Sequence, residues 1–245
     1  MNLREKIAVI TGGSKGIGLA LAKELDKEGM KLVLVAKSQD GLKEAAGQLS
    51  GTDHTYFACD LSDIGEVKKL AQKIKENFDR IDVLVNGAGI GVYKPIEEVS
   101  FEEWKSSFSI GVDAPFFLTQ ELLSLLNKSE VSLVINIGSG MGVIPAPGRS
   151  AYCSMKFALR GMTLSLAEEF KRAKPHFVLL TLGSVLTGFG PMSLEEKKEE
   201  ALKGKAYLTP EWVAERLVGI IKEGGRQTEY TFYPSEYKDE WEAVK

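Results

Sequence analysis

The chain has 245 residues and a formal net charge of −3, with 44% apolar and 27% charged residues. That length can bury a large core, and the balance is that of a soluble globular protein. No basic stripe or arginine-rich run is present, which argues against nucleic acid as a partner, and two cysteines with two histidines suggest neither a disulfide framework nor a metal site.

The first apolar run, Ile7 to Ile10, is too short for a signal peptide or a membrane span, so a cytoplasmic location without membrane contact is expected. "KIAVIT" (6–11) reads as a buried strand, and "GLALAKELDKEG" (18–29) as a helix ending at Gly29. Further strands are expected at 31–36, 54–60, 81–89, 131–139, 176–182 and 229–233. Helices are expected at 40–49, 63–78, 100–126, 150–173 and from Pro210 to about Lys222. Strands apolar on both faces and separated by helices imply a parallel sheet covered on both sides. The expected fold is therefore α/β: a single Rossmann-fold domain over 1–245, with a doubly wound sheet of about seven strands. The glycine-rich and then highly charged stretch 184–207 reads as a solvated helix face or as a flap over a substrate.

"TGGSKGIG" (11–18) joins the first strand to the first helix. Gly12 and Gly16 can take backbone angles closed to other residues, and Gly18 allows close packing. Free N–H groups at the helix start, reinforced by the helix dipole, then suit a phosphate. The stretch also contains Gly-x-Ser-x-Gly, which raises a rival reading as a serine hydrolase using Ser14 with His176 as base. His176, however, opens a strand. At the end of the second strand stands Lys37 with no acid beside it, and Lys15 lies within the turn. Two cations without a carboxylate favour NADP(H) over NAD(H).

Taken in order, these motifs resemble the short-chain dehydrogenase/reductase family over nearly the whole chain. "TGGSKGIG" resembles its cofactor turn, which implies cofactor contacts from Gly12, Ser14, Lys15, Gly16, Ile17 and Gly18. "CDLSD" (59–63) resembles the adenine-contacting segment and implies roles for Asp60 and Leu61. "NGAG" (86–89) resembles the Asn-Asn-Ala-Gly motif, with Asn86 stabilising the sheet and Ala88 and Gly89 along the cofactor. "NIGSGMG" (136–142) puts Ser139 at the place of the catalytic serine, and "YCSMK" supplies Tyr-x-x-x-Lys as Tyr152 and Lys156. "LGSVLT" (182–187) implies cofactor contacts at Gly183, Val185 and Thr187.

Residues four apart on a helix share a face, so the Lys156 ammonium can lie below the Tyr152 phenol and favour its phenolate. The resemblance implies hydride transfer between a nicotinamide and a carbonyl carbon. Tyr152 moves the proton, Ser139 orients the oxygen, and Tyr152 and Lys156 also contact the cofactor, Lys156 through the nicotinamide ribose. The expected substrate is a small carbonyl or alcohol compound in a pocket with Val92, Tyr93, Phe189 and Met192. The alternatives are a 3-oxoacyl-[acyl-carrier-protein] reductase and a non-catalytic NADP(H)-binding protein. A homodimer or homotetramer is implied through the helices at 100–126 and 150–173.

Three positions depart from the family pattern. Gly111 stands where an asparagine helps hold a relay water, leaving a gap for a water or Ser109 to fill, and Pro115 predicts a kink just beyond. Leu182 replaces the usual proline, and Gly138 is expected to open space near the nicotinamide.

Overall fold

The computed structural model describes residues 1–237. Seven strands form one parallel sheet: β1 (Ile7–Thr11), β2 (Lys31–Ala36), β3 (Thr55–Ala58), β4 (Val83–Asn86), β5 (Leu133–Ile137), β6 (His176–Leu182) and β7 (Glu229–Phe232). Their order is β3-β2-β1-β4-β5-β6-β7. The chain winds outward from β1 to β3, returns to lay β4 on the other side of β1, and continues outward. Ligands of such sheets bind beyond the strands' C-terminal ends at that reversal.

The described residues form eight α-helices: α1 (Gly16–Lys27), α2 (Gln39–Ala46), α3 (Ile64–Asn77), α4 (Phe101–Phe108), α5 (Ala114–Leu126), α6 (Ser150–Glu169), α7 (Leu194–Leu202) and α8 (Pro210–Lys222), of which α1, α2 and α8 cover one face of the sheet and α3, α5 and α6 the other. Strand residues alternate between faces. Ala8, Ile10, Leu32 and Leu34 therefore pack under Leu21 and Leu25 of α1 and Leu217 and Ile221 of α8. Val9, Val33, Val35 and Leu84 pack under Val67 and Ile74 of α3 and Leu118 and Leu122 of α5. The burial of both faces of β1, β2, β4, β5 and β6 explains why these inner strands read as apolar runs.

The expected helix over 100–126 is interrupted. Ser100 and Glu103 form a reciprocal capping box that starts α4. Residues Ser109–Asp113 then widen into a π-helical turn before α5. Pro115 lies at the start of α5 and cannot donate to the Gly111 carbonyl, while the Ala114 N–H bonds five residues back to Ser109. The expected kink is this widened turn. At the C-terminal side, Tyr237 packs on Trp212 of α8 at 4.8 Å between ring centroids.

Candidate active site

The glycine turn is held by steric fit. Gly12 and Gly16 have φ of +71° and +57°, the left-handed region that favours glycine. A Cβ at Gly12 would lie 2.9 Å from the Ala88 nitrogen, and one at Gly18 only 2.3 Å from the Gly12 oxygen. Thr11 fastens the same corner: its hydroxyl accepts from the Gly87 and Ala88 amides at 3.1 and 3.3 Å and donates to the Val85 carbonyl at 3.3 Å. Asn86 at the end of β4 donates to Asn136 of β5 at 2.8 Å, and Asn136 donates to Thr163 of α6 at 2.8 Å. Helix α1 starts at Gly16 with no side-chain cap and no acid in its first turn. Its exposed amides are left for an anion, so the cradle fits a dinucleotide pyrophosphate.

Ser14 belongs to this cradle, beside α2, where a Cβ built on Gly41 would lie 3.6 Å from its Cβ. His176 is at the opposite end of the sheet, paired in register with Leu133 at the start of β5. Five residues of β1 at ~3.3 Å each separate the two levels, so the Ser14–His176 hydrolase reading fails.

Lys37 follows β2 and ion-pairs with Asp60 at 2.5 Å. Asp60 also accepts from the Ser62 amide and hydroxyl at 3.0 and 2.7 Å. Together Lys37 and Ser62 pull its carboxyl down to about 2. Strand β2 lacks an acid of its own, but β3 delivers one to the same lysine; this qualifies the expectation of cations without a carboxylate.

Beyond β5, Ser139 accepts from the Met141 amide at 3.1 Å and opens a short 3-10 turn at Gly140–Gly142. That turn rests on α6, where a Cβ at Gly142 would lie 2.8 Å from the Lys156 carbonyl oxygen. The close approach brings Ser139 alongside Tyr152 and Lys156, which are only 5% and 6% exposed. Burial is the largest influence on the Tyr152 phenol and raises its pKa above the ordinary value, with the nearby Ser139 and Tyr93 hydroxyls opposing it only in part. Lys156 Nζ lies 5.9 Å from the Tyr152 ring centroid and donates to the Ile137 carbonyl at 2.8 Å. Burial lowers its pKa to about 8. The pairing is therefore not the simple one expected from helical spacing: burial holds the phenol's pKa up, and the lysine's ammonium is held by the sheet.

The segment after β6 closes the cleft. Val185 bridges to Leu208, and Gly183 lies so close to Pro234 that a Cβ would come within 2.4 Å. Thr187 covers the glycine turn, 3.5 Å from a Cβ built on Gly16. Phe189 faces Tyr152 at 6.1 Å between ring centroids and lies 3.9 Å from a Cβ built on Gly89. Turn, Tyr-x-x-x-Lys helix and flap thus converge on one cleft at the strands' C-terminal ends.

The short chain dehydrogenase family model matches residues 6–198. The chain belongs to the short chain dehydrogenase family. Similar family members include the D-threitol dehydrogenase of Mycolicibacterium smegmatis, 30% identical over 81% of this chain and 77% of that one. The NADP-dependent (R)-specific alcohol dehydrogenase of Lentilactobacillus kefiri is 36% identical over 67% of this chain and 66% of that one. Among solved structures, an alcohol dehydrogenase from Thermococcus sibiricus complexed with 5-hydroxy-NADP superposes with a TM-score of 0.81. It is 29% identical, over 94% of this chain and 96% of that one.

For a short chain dehydrogenase, this chain has three local features its motifs did not predict. At Gly111 neither a water nor Ser109 is needed as filler: Met155 of α6 takes the space, its sulfur 2.3 Å from where a Cβ would stand. Gly138 opens no space near the nicotinamide; a Cβ there would lie 3.0 Å from Leu179 Cδ1 and 3.1 Å from the Leu180 carbonyl oxygen, so the glycine serves sheet packing. Finally, α7 is not only a solvated charged face. Lys197 is 7% exposed, and its ammonium donates to the carbonyls of Val185, Thr187 and Phe189 at 3.3, 2.9 and 2.5 Å. Its only sequence signal was Ser193 with Glu196, the capping box that fixes the helix phase.

Proposed function

We propose that this family member is an NADP(H)-dependent oxidoreductase that interconverts a carbonyl group and a secondary alcohol. The observation that carries the reading is the convergence of Tyr152, Ser139 and Lys156 with the bare glycine cradle and Thr187 in one cleft. The NADP dependence named for the L. kefiri relative and the nucleotide in the T. sibiricus structure support the cofactor.

The turn from Gly12 to Gly18, with Ser14, Lys15 and Ile17, would hold the pyrophosphate and the adenosine end. Lys37 would take the 2′-phosphate when released from Asp60, with Leu61 flanking the adenine. Ala88, Gly89, Gly183, Val185 and Thr187 would line the nicotinamide half. When bound, the nicotinamide supplies or accepts the hydride. In reduction, Tyr152 gives its phenolic proton to the carbonyl oxygen; in oxidation its phenolate takes the alcohol proton. Ser139 donates to the same substrate oxygen and fixes its direction. Lys156 would turn from Ile137 toward the ribose hydroxyls and stabilise the phenolate.

Tyr93 and Phe189, both on the Tyr152 ring, with buried Val92 and half-buried Met192, suit an apolar or aromatic carbonyl compound. The unit is one domain with 184–207 as its flap. A homodimer or homotetramer fits the exposed Trp104, Phe116 and Phe157 on α4, α5 and α6; a monomer mass in light scattering would remove that assignment. The activity is tested by following NADPH and NADH absorbance against apolar ketones, aldehydes and 3-oxoacyl thioesters. Faster loss with NADPH on ketones or aldehydes is expected. Thioester-selective turnover would move the substrate to an acyl chain, and none with any carbonyl would leave a nucleotide-binding protein.

A further inference from the structure

Arg149, the residue before α6, carries a charge at the cleft that the fold leaves unneutralised. Its guanidinium carbon sits over the Tyr93 ring, 5.4 Å from the centroid. That ring in turn packs against Tyr152, with centroids 5.1 Å apart and planes tilted by 49°. Gly91 fixes the ring between them, since a Cβ there would lie 2.1 Å from Tyr93 Cε2. A cation is thus held one ring away from the phenol proposed to move the proton.

Arg149 is half-buried. Among the described residues no carboxylate pairs with it, and no oxygen accepts from its N–H groups. Helix α6 has no acid in its first turn, and its dipole disfavours a cation at that end. Glu103 of α4 reaches the Tyr93 loop but is taken by Lys94 at 2.5 Å. A half-buried guanidinium without a counter-ion costs solvation, and the ring contact is its only return. Its planar fork of donors, which matches a carboxylate through two parallel hydrogen bonds, stays unfilled.

We infer that Arg149 is a specificity-determining residue that binds a carboxylate carried by the substrate a few bonds from its reacting carbonyl. The substrate class is then an oxo acid, or a hydroxy acid in the reverse direction, with its apolar body against Tyr93, Phe189 and Val92. A carboxylate fits better than a phosphate because one unpaired cation matches one charge: Lys94 is paired with Glu103, and Lys156 donates to the Ile137 carbonyl. Arg149 takes no part in the proton transfer. It anchors the far end of the substrate, so that the carbonyl oxygen is turned toward Tyr152. The inference rests on the proposed carbonyl–alcohol chemistry at Tyr152.

Paired substrates test it: 2-oxo and 4-oxo acids with an apolar tail against their methyl esters, followed by NADPH absorbance. The parent should prefer acid over ester in kcat/KM by about 10- to 100-fold, the range of hydrogen bonds to a charged group. Arg149→Gln should abolish that preference, mainly through a higher KM for the acid. Arg149→Lys, which keeps the charge but not the fork, should fall between the two. A parent with no preference for the acid, or a preference unchanged in Arg149→Gln, would overturn the inference. The parent's preference decides alone where a variant does not fold. Faster turnover of phosphate-bearing ketones than of oxo acids would overturn it as well. If neutral ketones turn over while the acid has no advantage, only the role of Arg149 fails; if no carbonyl compound turns over, the underlying reading fails and the inference with it.

Discussion

The cofactor bank of the cleft is built from backbone that side chains must avoid, whereas the substrate bank is built from side chains that reach backbone and one another. On the first, Gly12 and Gly18 are fixed by approaches of 2.9 and 2.3 Å that exclude any Cβ. On the second, Lys197 gathers three carbonyls, Tyr93 meets Tyr152, and Met155 fills the space at Gly111. Steric exclusion leaves a glycine at a set position in the chain. A long-range polar contact leaves only an ordinary lysine or tyrosine, so the two banks differ in how far each can be read and in how each should fail.

Breaking the cofactor bank should have the larger effect. Gly18→Ala forces a methyl group onto the Gly12 carbonyl oxygen, between two backbone segments that cannot both retreat. A loss of about 2–3 kcal/mol in denaturant unfolding is expected, with NADPH binding lost as the turn shifts. Parent-like stability and binding would mean that the turn is looser than its contacts imply.

On the substrate bank, Lys197→Met keeps much of the buried stem but leaves three carbonyls without their donor. The expected cost is about 1–3 kcal/mol, with a several-fold rise in the KM for NADPH, since Thr187 loses its support. Limited proteolysis should cut within 185–193 faster than in the parent. Equal cleavage rates and an equal KM would show that α7 does not hold the loop.

A smaller effect sharpens the comparison through pH. Lys156 has a folded pKa of about 8 against 10.5 for an unperturbed lysine. Between those values the unfolded chain binds the extra proton, so this residue's contribution makes stability rise with pH across that window. Below pH 8 its burial cost is fully present, about 3 kcal/mol at most. Lys156→Met should therefore flatten the unfolding free energy between pH 8 and 10.5. A slope equal to the parent's would place the charge in a better-solvated setting.

The difference between the banks also explains what was legible. The inner strands β1, β2, β4, β5 and β6 follow from apolar runs, because both their faces are buried, whereas the edge strands β3 and β7 are only half-buried and more polar; the glycine turn follows from positions where only glycine fits. Periodicity gave the 100–126 helix as one element because a π-helical turn keeps the helical pattern; Pro115 and Gly111 were the only clues to the break. Helical spacing put Lys156 beside Tyr152 but could not foresee that Ile137's carbonyl claims its ammonium. Thr11 was hidden among ordinary strand residues although it ties three segments together. Trp241, at the polar C-terminal end, lies outside the described residues.

The most direct test of the account measures binding and turnover on one preparation of Tyr152→Phe. NADPH should still quench intrinsic fluorescence with near-parent affinity, because the cradle does not use the phenol. NADPH consumption with the best ketone should fall about 100- to 10,000-fold, the range a general acid supplies. Consumption within a few-fold of the parent would contradict the assignment of Tyr152 as the proton donor.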